Sequence, residues 1–520
     1  MNISRFFSKK KDTWSDMASK AIIGKEASKY EYNIYTEYYD GEKNIGELGA
    51  PIHVKPDFYN LSLRSREQYL KSDIAKIIIN AYVNWVVGSG LKLQSEPVSS
   101  EIEKEGFKFD NDKFVKDVEA RYRLYVRTKE CDYKKTTTFA EIQKMAKKSA
   151  IIDGDVLIVL RTDKHGPNVQ LISSGFVQTP IASKYTIEAK NKGNKICHGV
   201  EIDQKGRHIA FYVANHDMTY TRINSIGEKT ERLQAFMLYG DKFRIDDTRG
   251  LPIYATNIEK LKKIDRYVEA TVGSAEERAK IPWFFEHGIN STNENPMINA
   301  LKMSHNAGEP NEQVANSPTI EDTAKKVAQT TGKNTINLPN DVTMKSIESR
   351  SEIAFGDFLN NNFMFICASV EIPYEVALSK FENSFSASRM AAKQWEHTLK
   401  VKRAEFSDCF LKPFYNLFLE IQILMGKVKA DGYFTALMKK DPILLEAYRN
   451  CRFIGANVPH VDPLKEVNAE IAKINNYLTT REQASEELGT GEFTTNIEKS
   501  IKEKELLPKE SPQQIIPTNP

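Results

Sequence analysis

The chain of 520 residues is poor in several features that usually announce a function. Its five cysteines, Cys131, Cys197, Cys367, Cys409 and Cys451, are scattered, odd in number and without a Cys-x-x-Cys pair. That pattern argues against a disulfide framework and fits buried thiols in a reducing cytoplasm. Neither sign of charge dominates: 73 basic against 70 acidic residues leave a formal charge of +3, so any contact with nucleic acid or a membrane surface has to be local. There is no run of 18 or more apolar residues, and Met1 to Asp16 carries basic residues without an apolar core of signal-peptide length. Neither a membrane span nor export by that route is expected.

The motifs of common catalysts are missing as well. No Gly-x-x-x-x-Gly-Lys-Ser/Thr run supplies a phosphate cradle, and Gly227-Glu228-Lys229-Thr230 matches only its last residues and reads as a surface turn. The nine histidines include no His-Glu-x-x-His and no metal-ligand spacing, and neither a Gly-x-Ser-x-Gly elbow nor a cysteine-centred nucleophile motif occurs. Two carboxylates do stand close together, in Asp153-Gly154-Asp155. They could hold a magnesium ion, but between a helix and an apolar strand Asp and Gly more commonly make a turn. No cofactor and no catalytic residue is expected.

What is present is a turn set directly before a long amphipathic helix. Arg249-Gly250-Leu251-Pro252 combines a residue free of side-chain constraint with one whose φ is already helical, and Asn257 is placed to cap the turn that begins at Ile258. Ile258, Leu261, Ile264, Val268, Val272, Ala275 and Ala279 then recur at three-and-four spacing, with Lys260, Lys262, Lys263, Arg266, Glu269, Glu276, Glu277 and Arg278 on the other faces. At about 1.5 Å per residue the helix is roughly 35 Å long. Its narrow apolar stripe needs a neighbour to cover it.

Around this helix the chain reads as α+β, mainly α. The first 60 residues show little periodicity. Residues 64 to 87 read as a helix ended by Gly88-Ser89-Gly90, followed by helices from Asn111 to Arg127 and from Thr138 to Ile152, the latter opened by a Thr138/Glu141 capping box. Val156 to Leu160, Val169 to Ile172, Gly199 to Ile202 and Ile209 to Val213 are β-prone, so residues 155 to 245 form a sheet-rich insertion. Residues 282 to 339 lose periodicity and are rich in Asn, Thr, Gly and Pro. A helix from Ser351 to Ala368 follows, then a very long one from Ser386 with Pro413 inside it, predicting a kink. Arg389, Lys393, Lys400, Lys402 and Arg403 cluster early in that helix, opposed by Glu396; this is a solvated face or a basic face for a nucleic-acid backbone. From Gly491 the chain turns polar, and its last prolines mark a disordered tail.

A set of ordered segments resembles one family. They are Val87-Gly88-Ser89-Gly90, Asp153-Gly154-Asp155-Val156, His198-Gly199-Val200-Glu201-Ile202-Asp203, Arg249-Gly250-Leu251-Pro252 and Ser386-Ala387-Ser388-Arg389 with Pro413 downstream. Phe453-Ile454-Gly455, Val461-Asp462-Pro463-Leu464-Lys465-Glu466-Val467 and Thr479-Thr480-Arg481-Glu482 complete it. In this order they resemble the lambda-type portal proteins of tailed bacteriophages. The resemblance implies a ring of identical subunits, typically a dodecamer, at one capsid vertex, through which double-stranded DNA is packaged and ejected.

It also implies a division of the chain: an N-terminal arm (1–60), a wing (61–253), a first stem helix (254–281), a clip (282–347), a second stem helix (348–370), a channel loop (371–388), a kinked long wing helix (389–430), a wing and crown region (431–507) and a tail (508–520). By the same resemblance, Lys260, Lys263, Lys380, Arg389 and Lys393 are candidates for the DNA channel. Leu261, Ile264, Val268 and Val272 are candidates for packing between subunits. The implied partners are further copies of the chain, the terminase large subunit, head-completion and tail-adaptor proteins, the major capsid protein and non-specific double-stranded DNA, in the virion and in the host cytoplasm during assembly. A magnesium-dependent DNA-processing enzyme using Asp153 and Asp155, and an intracellular scaffold or adaptor without DNA contact, are the alternatives.

Overall fold

A computed structural model describes residues 35–36, 55–181, 183–217, 219–245, 247–280, 284–287, 342–345, 355–380, 385–456, 463–491 and 493–506. Most of the expected arm and clip, and the tail after residue 506, lie outside them. The chain divides into two compact units, Met1–Lys262 with Asn361–Pro520, and Lys263–Asn360.

In the first unit, short strands β1 (Tyr35–Thr36) and β2 (Lys55–Pro56) pair antiparallel and precede helices α1 (Phe58–Lys71) and α2 (Asp73–Val86). The periodicity over 64–87 predicted a single helix; the structure breaks it at Ser72, which is extended at φ −94° and ψ 122°. Asp57 caps α1 by accepting from the Asn60 amide at 3.2 Å. Ala75, Ile78, Ile79, Tyr82, Val83 and Val86 carry the buried face of α2.

After β3 (Lys92–Ser95) and α3 (Ser99–Lys104) come α4 (Asn111–Tyr125) and α5 (Phe139–Asp153). The Glu141 carboxylate accepts from the Thr138 amide at 2.7 Å and its hydroxyl at 3.0 Å, so the capping box forms. Phe139 stacks on Phe414 with ring centres 4.2 Å apart, and Tyr122 meets Phe139, Phe414 and Phe418 edge-on. Each such ring contributes about 2 kcal/mol through burial.

The sheet-rich part holds β4 (Asp155–Asp163), β5 (Gly166–Ser173), α6 (Ser183–Asn191), β6 (Lys195–Cys197), β7 (Val200–Ile202), β8 (His208–Ala214), β9 (Tyr220–Asn224) and β10 (Ala235–Tyr239). They form two antiparallel sheets, ordered β10-β4-β5 and β6-β7-β8-β9. Leu157, Val159, Val177, Val200, Phe211, Val213, Ala235 and Met237 make one core between them. The first half of β4 is buried on both faces, which is why it reads as an unbroken apolar run rather than an alternation.

Helix α7 (Ile258–Lys280) leaves this unit and enters the second. There β11 (Phe284–His287) pairs antiparallel with β12 (Val342–Lys345), and Tyr267 of α7 packs on Phe355 and Phe358 of α8 (Phe355–Ser369), with ring centres 5.8 and 4.6 Å apart.

Back in the first unit, α9 (Tyr374–Leu378) leads to α10 (Phe385–Phe406), a π-helical segment (Ser407–Leu411) and α11 (Lys412–Leu424). The irregularity therefore lies just before Pro413. That residue has no N–H to offer the preceding turn, and the Lys412 amide reaches back five residues to the Ser407 carbonyl. Helices α12 (Tyr433–Lys439) and α13 (Pro442–Arg449), strand β13 (Cys451–Ile454), which pairs with β3, and helices α14 (Pro463–Asn475), α15 (Arg481–Glu487) and α16 (Phe493–Leu506) complete the mainly helical α+β fold. Among the described residues no helix is long and apolar enough to cross a membrane.

Candidate functional site: the root and faces of helix α7

The turn before α7 is built on a buried ion pair. Arg249 is 1% exposed, as is Asp155. Its Nε and Nη2 donate to the two oxygens of Asp155 at 2.8 and 2.9 Å, and the Gly250 amide adds a third bond at 2.9 Å. Nη2 also donates to the Ser174 carbonyl and hydroxyl, and Nη1 to the carbonyls of Val177 and His198. Burial alone lowers the pKa of such a guanidinium; the charge and hydrogen bonds of Asp155 outweigh it and hold Arg249 above its ordinary value. One side chain thereby ties β4, the segment after β5, the loop before β7 and the start of the α7 turn.

Gly250 and Gly154 explain the neighbouring glycines. A Cβ on either would overlap the backbone of the other, and Gly154 has φ +95°. For Gly250 the reason is close backbone approach; only Gly154 needs the left-handed region. The root is tied further by the buried Tyr254 hydroxyl, which donates to the Ala75 carbonyl of α2 at 2.8 Å, and by the Ile253 amide, which donates to the Ile151 carbonyl of α5 at 2.9 Å. Asn257, expected to cap α7 with its side chain, donates its amide to Ser369 Oγ at the end of α8.

The paired carboxylates of Asp153-Gly154-Asp155 do not converge on one site. Asp155 is held by Arg249, and Asp153 accepts from Arg66 Nε and Nη2 at 2.5 and 2.8 Å. With both carboxylates committed to arginines on different elements, the magnesium reading loses its ligands. Among the described residues no group of three or more His, Cys, Asp or Glu is placed to hold a metal.

Along α7, Leu261 and Ile264 are 0% and 2% exposed within the single chain, Val268 is half-buried and Val272 is 50% exposed. Lys260, Lys263 and Glu269 are exposed. Lys380, after α9, and Lys393, on α10, are exposed too, and the Arg389 side chain lies outside the described residues.

The rest of the basic cluster on α10 is dispersed. Lys400 pairs with Glu396 at 3.0 Å and Lys402 with Glu371 at 3.0 Å. Arg403 turns inward and donates to the carbonyls of Trp85, Val86 and Ala456, which caps the C-terminal end of α2. Burial without a carboxylate lowers its pKa to about 10. Sequence reasoning counted Arg403 as surface charge and missed Arg249 as a buried hub. The available signal was an arginine between the β-rich segment and a Gly-Leu-Pro turn, with an aspartate at the head of an apolar strand.

Residues 45–403 match the family described as phage portal protein, lambda family. A probable portal protein of Halomonas phage phiHAP-1 is 23% identical over 252 residues, 47% of this chain; the match spans about half, 46%, of that relative. Solved structures that the chain is similar to include the neck of a native gene transfer agent particle computed with C12 symmetry (9% identity, TM-score 0.42, covering 83% of this chain and 93% of that one). The neck of an empty particle computed with C6 symmetry is another (12%, TM-score 0.41, covering 86% and 96%). The match to more than two thirds of the sequence defines the class. This chain belongs to the lambda family of phage portal proteins.

Proposed function

We propose that the protein assembles into a ring, a dodecamer, at a unique capsid vertex and forms the channel through which double-stranded DNA is packaged and ejected. The observation that carries this reading is the family match over residues 45–403. In this assignment α7 and α8 belong to the stem (254–281 and 348–370) and residues 282–347 are the clip that docks the terminase large subunit and later the head-completion and tail-adaptor proteins. Residues 371–388 form a loop beside the DNA, and residues 61–253 and 389–507 form the wing and crown, the wing facing the major capsid protein. Lys260, Lys263, Lys380, Arg389 and Lys393 are the candidate channel cations.

The exposure of the stem residues supports a division of labour. Leu261 and Ile264 are already covered inside one chain, whereas Val268 and Val272 leave apolar surface at the far part of α7 for a neighbouring copy. Near-neutral overall charge suits a channel in which phosphates must slide, since a strongly basic lumen would retain them. No catalytic step is assigned to the chain; ATP hydrolysis belongs to the separate motor.

Size-exclusion chromatography with light scattering and negative-stain microscopy test the reading. The expected result is a closed ring with an axial hole about as wide as B-DNA, lost in Val268→Asp and Val272→Asp. A monomeric native chain, or full rings from both variants, overturns it.

A further inference from the structure

Strand β4 is longer than its partner on one side. β10 pairs with it only from Asp155 to Val159, after which the Leu160 amide donates to the Gln234 carbonyl at 2.7 Å and the chain turns away, its Gln234 amide bonding Ser225 instead. On the other side β5 continues to Asp163. Thr162 stands opposite Pro167, which has no N–H. The carbonyls of Pro167 and Val169 are taken from outside the hairpin, by the Tyr125 hydroxyl at 2.8 Å and the Tyr133 amide at 3.0 Å. In an antiparallel ladder, backbone groups alternate between the two edges. The N–H and C=O of Thr162, and the C=O of Leu160, therefore face the side that β10 has vacated.

That side is a cleft of about 530 Å³ lined by Leu160, Asn168, Leu233 and Leu417, with Tyr133 and Arg161 among its other walls. Asn168 is 6% exposed, yet its Oδ1 has no hydrogen-bond partner, an uncommon condition for a buried amide. Arg161 is exposed, donates to the neutral Gln170 amide at 2.9 Å and lies 4.9 Å from the Tyr133 ring centre, with no carboxylate paired to it among the described residues. The other two cations of the cleft are already neutralised, Lys135 by Glu130 and Asp163, and Arg232 by Glu420.

We propose that this cleft is a strand-addition site, in which an extended acidic segment of a second protein continues the line of β10 beside Leu160–Asp163. Backbone hydrogen bonds to Thr162 and Leu160 give the affinity, a side-chain donor of the segment satisfies Asn168, and a carboxylate meets Arg161. The run from Leu160 to Asp163 matches roughly four residues of extended chain, about 13 Å. The inference rests on strand register and is independent of the channel reading.

The test is hydrogen–deuterium exchange of the full chain with a blocked Thr-Glu-Thr-Gln-Thr-Glu peptide (the Thr-Glu peptide), whose carboxylates and amide share one strand face as Arg161 and Asn168 do, beside the same peptide with Lys for Glu (the Thr-Lys peptide) and an N-methylated Thr-Glu peptide as probes. Slowed exchange at the Thr162 amide with the Thr-Glu peptide, at least about tenfold weaker with the Thr-Lys peptide and absent with the N-methylated one, is the expected result. Thr162→Pro removes the amide that faces the cleft and with it the exchange reporter, so its peptide affinity is read by isothermal titration calorimetry; it is expected to fall at least about tenfold while the melting temperature is retained. Arg161→Glu is expected to exchange the preference between the Glu and Lys peptides. Unaltered binding by Thr162→Pro overturns the proposal, as does equal binding of all three peptides. Protection of the Thr162 amide that rises with protein concentration without peptide also overturns it, because the occupant is then a second copy of this chain.

Discussion

Arg249 and Asp155 form a bidentate ion pair in which both partners are almost wholly removed from solvent. The pair closes the turn that launches α7 against the first residue of the buried strand β4. Desolvating two charges is costly, so such a pair persists only when its remaining donors and acceptors are also used, as they are here by Ser174, Val177, His198 and the Gly250 amide.

Breaking one side of that pair strands a buried charge. Arg249→Met and Asp155→Leu are each expected to cost about 3–5 kcal/mol, and the double variant less than the sum of the two. Chemical denaturation of the four proteins measures the coupling; strictly additive losses would show that the two side chains do not act as a unit. Arg249→Lys is expected to behave nearly as badly as Arg249→Met, since an ammonium cannot reproduce the fork.

Gly250→Ala and Gly154→Ala force a methyl into the opposing backbone. Each is expected to cost several kcal/mol, on the order of 2–4, and to lower soluble yield, Gly154→Ala more because it also strains a positive φ. Thermal melts decide this; near-native stability of either variant contradicts the close approach.

Lys147, on α5, is 4% exposed and lies between the rings of Tyr82 and Phe406. Burial, reinforced by the Lys402 charge and opposed by Glu405, lowers its pKa from 10.5 to about 8. Below pH 8 the lysine is charged in both states and the fold bears the penalty. Between about pH 8 and 10.5 the unfolded chain binds the extra proton, so this group's contribution to stability rises with pH. Lys147→Met is expected to exceed the native chain in stability by up to about 3 kcal/mol at pH 7, an advantage that shrinks towards pH 10.5. A stability difference that does not change with pH contradicts the assignment.

Lys260 and Lys263 offer a test of the proposed channel. Replacing both by alanine is expected to leave melting and ring assembly intact while weakening DNA retention. The salt dependence should flatten by about one unit of slope for each lysine that meets a phosphate. Salt-titrated DNA binding by the purified ring measures this, and an unaltered slope removes both residues from the channel.

Local order along this chain is legible from its sequence because it depends on neighbours a few positions apart. Three-and-four spacing from Ile258 to Ala279 suffices for α7, Thr138 and Glu141 for the start of α5, and the apolar run from Val156 to Leu160 for the buried part of β4. The ordered segments from Val87 to Glu482 suffice for the resemblance to the portal family. What the tertiary structure alone decided are relations between residues far apart in the chain. Asp153 and Asp155, adjacent enough to suggest a metal site, point to arginines at positions 66 and 249. Arg403 looks like one more surface cation until three carbonyls from α2 and the segment after β13 are seen around it. The physical reason is the same in each case: the environment of a charge in a folded chain is set by which distant backbone and side-chain groups exclude water from it, and sequence spacing carries no record of that.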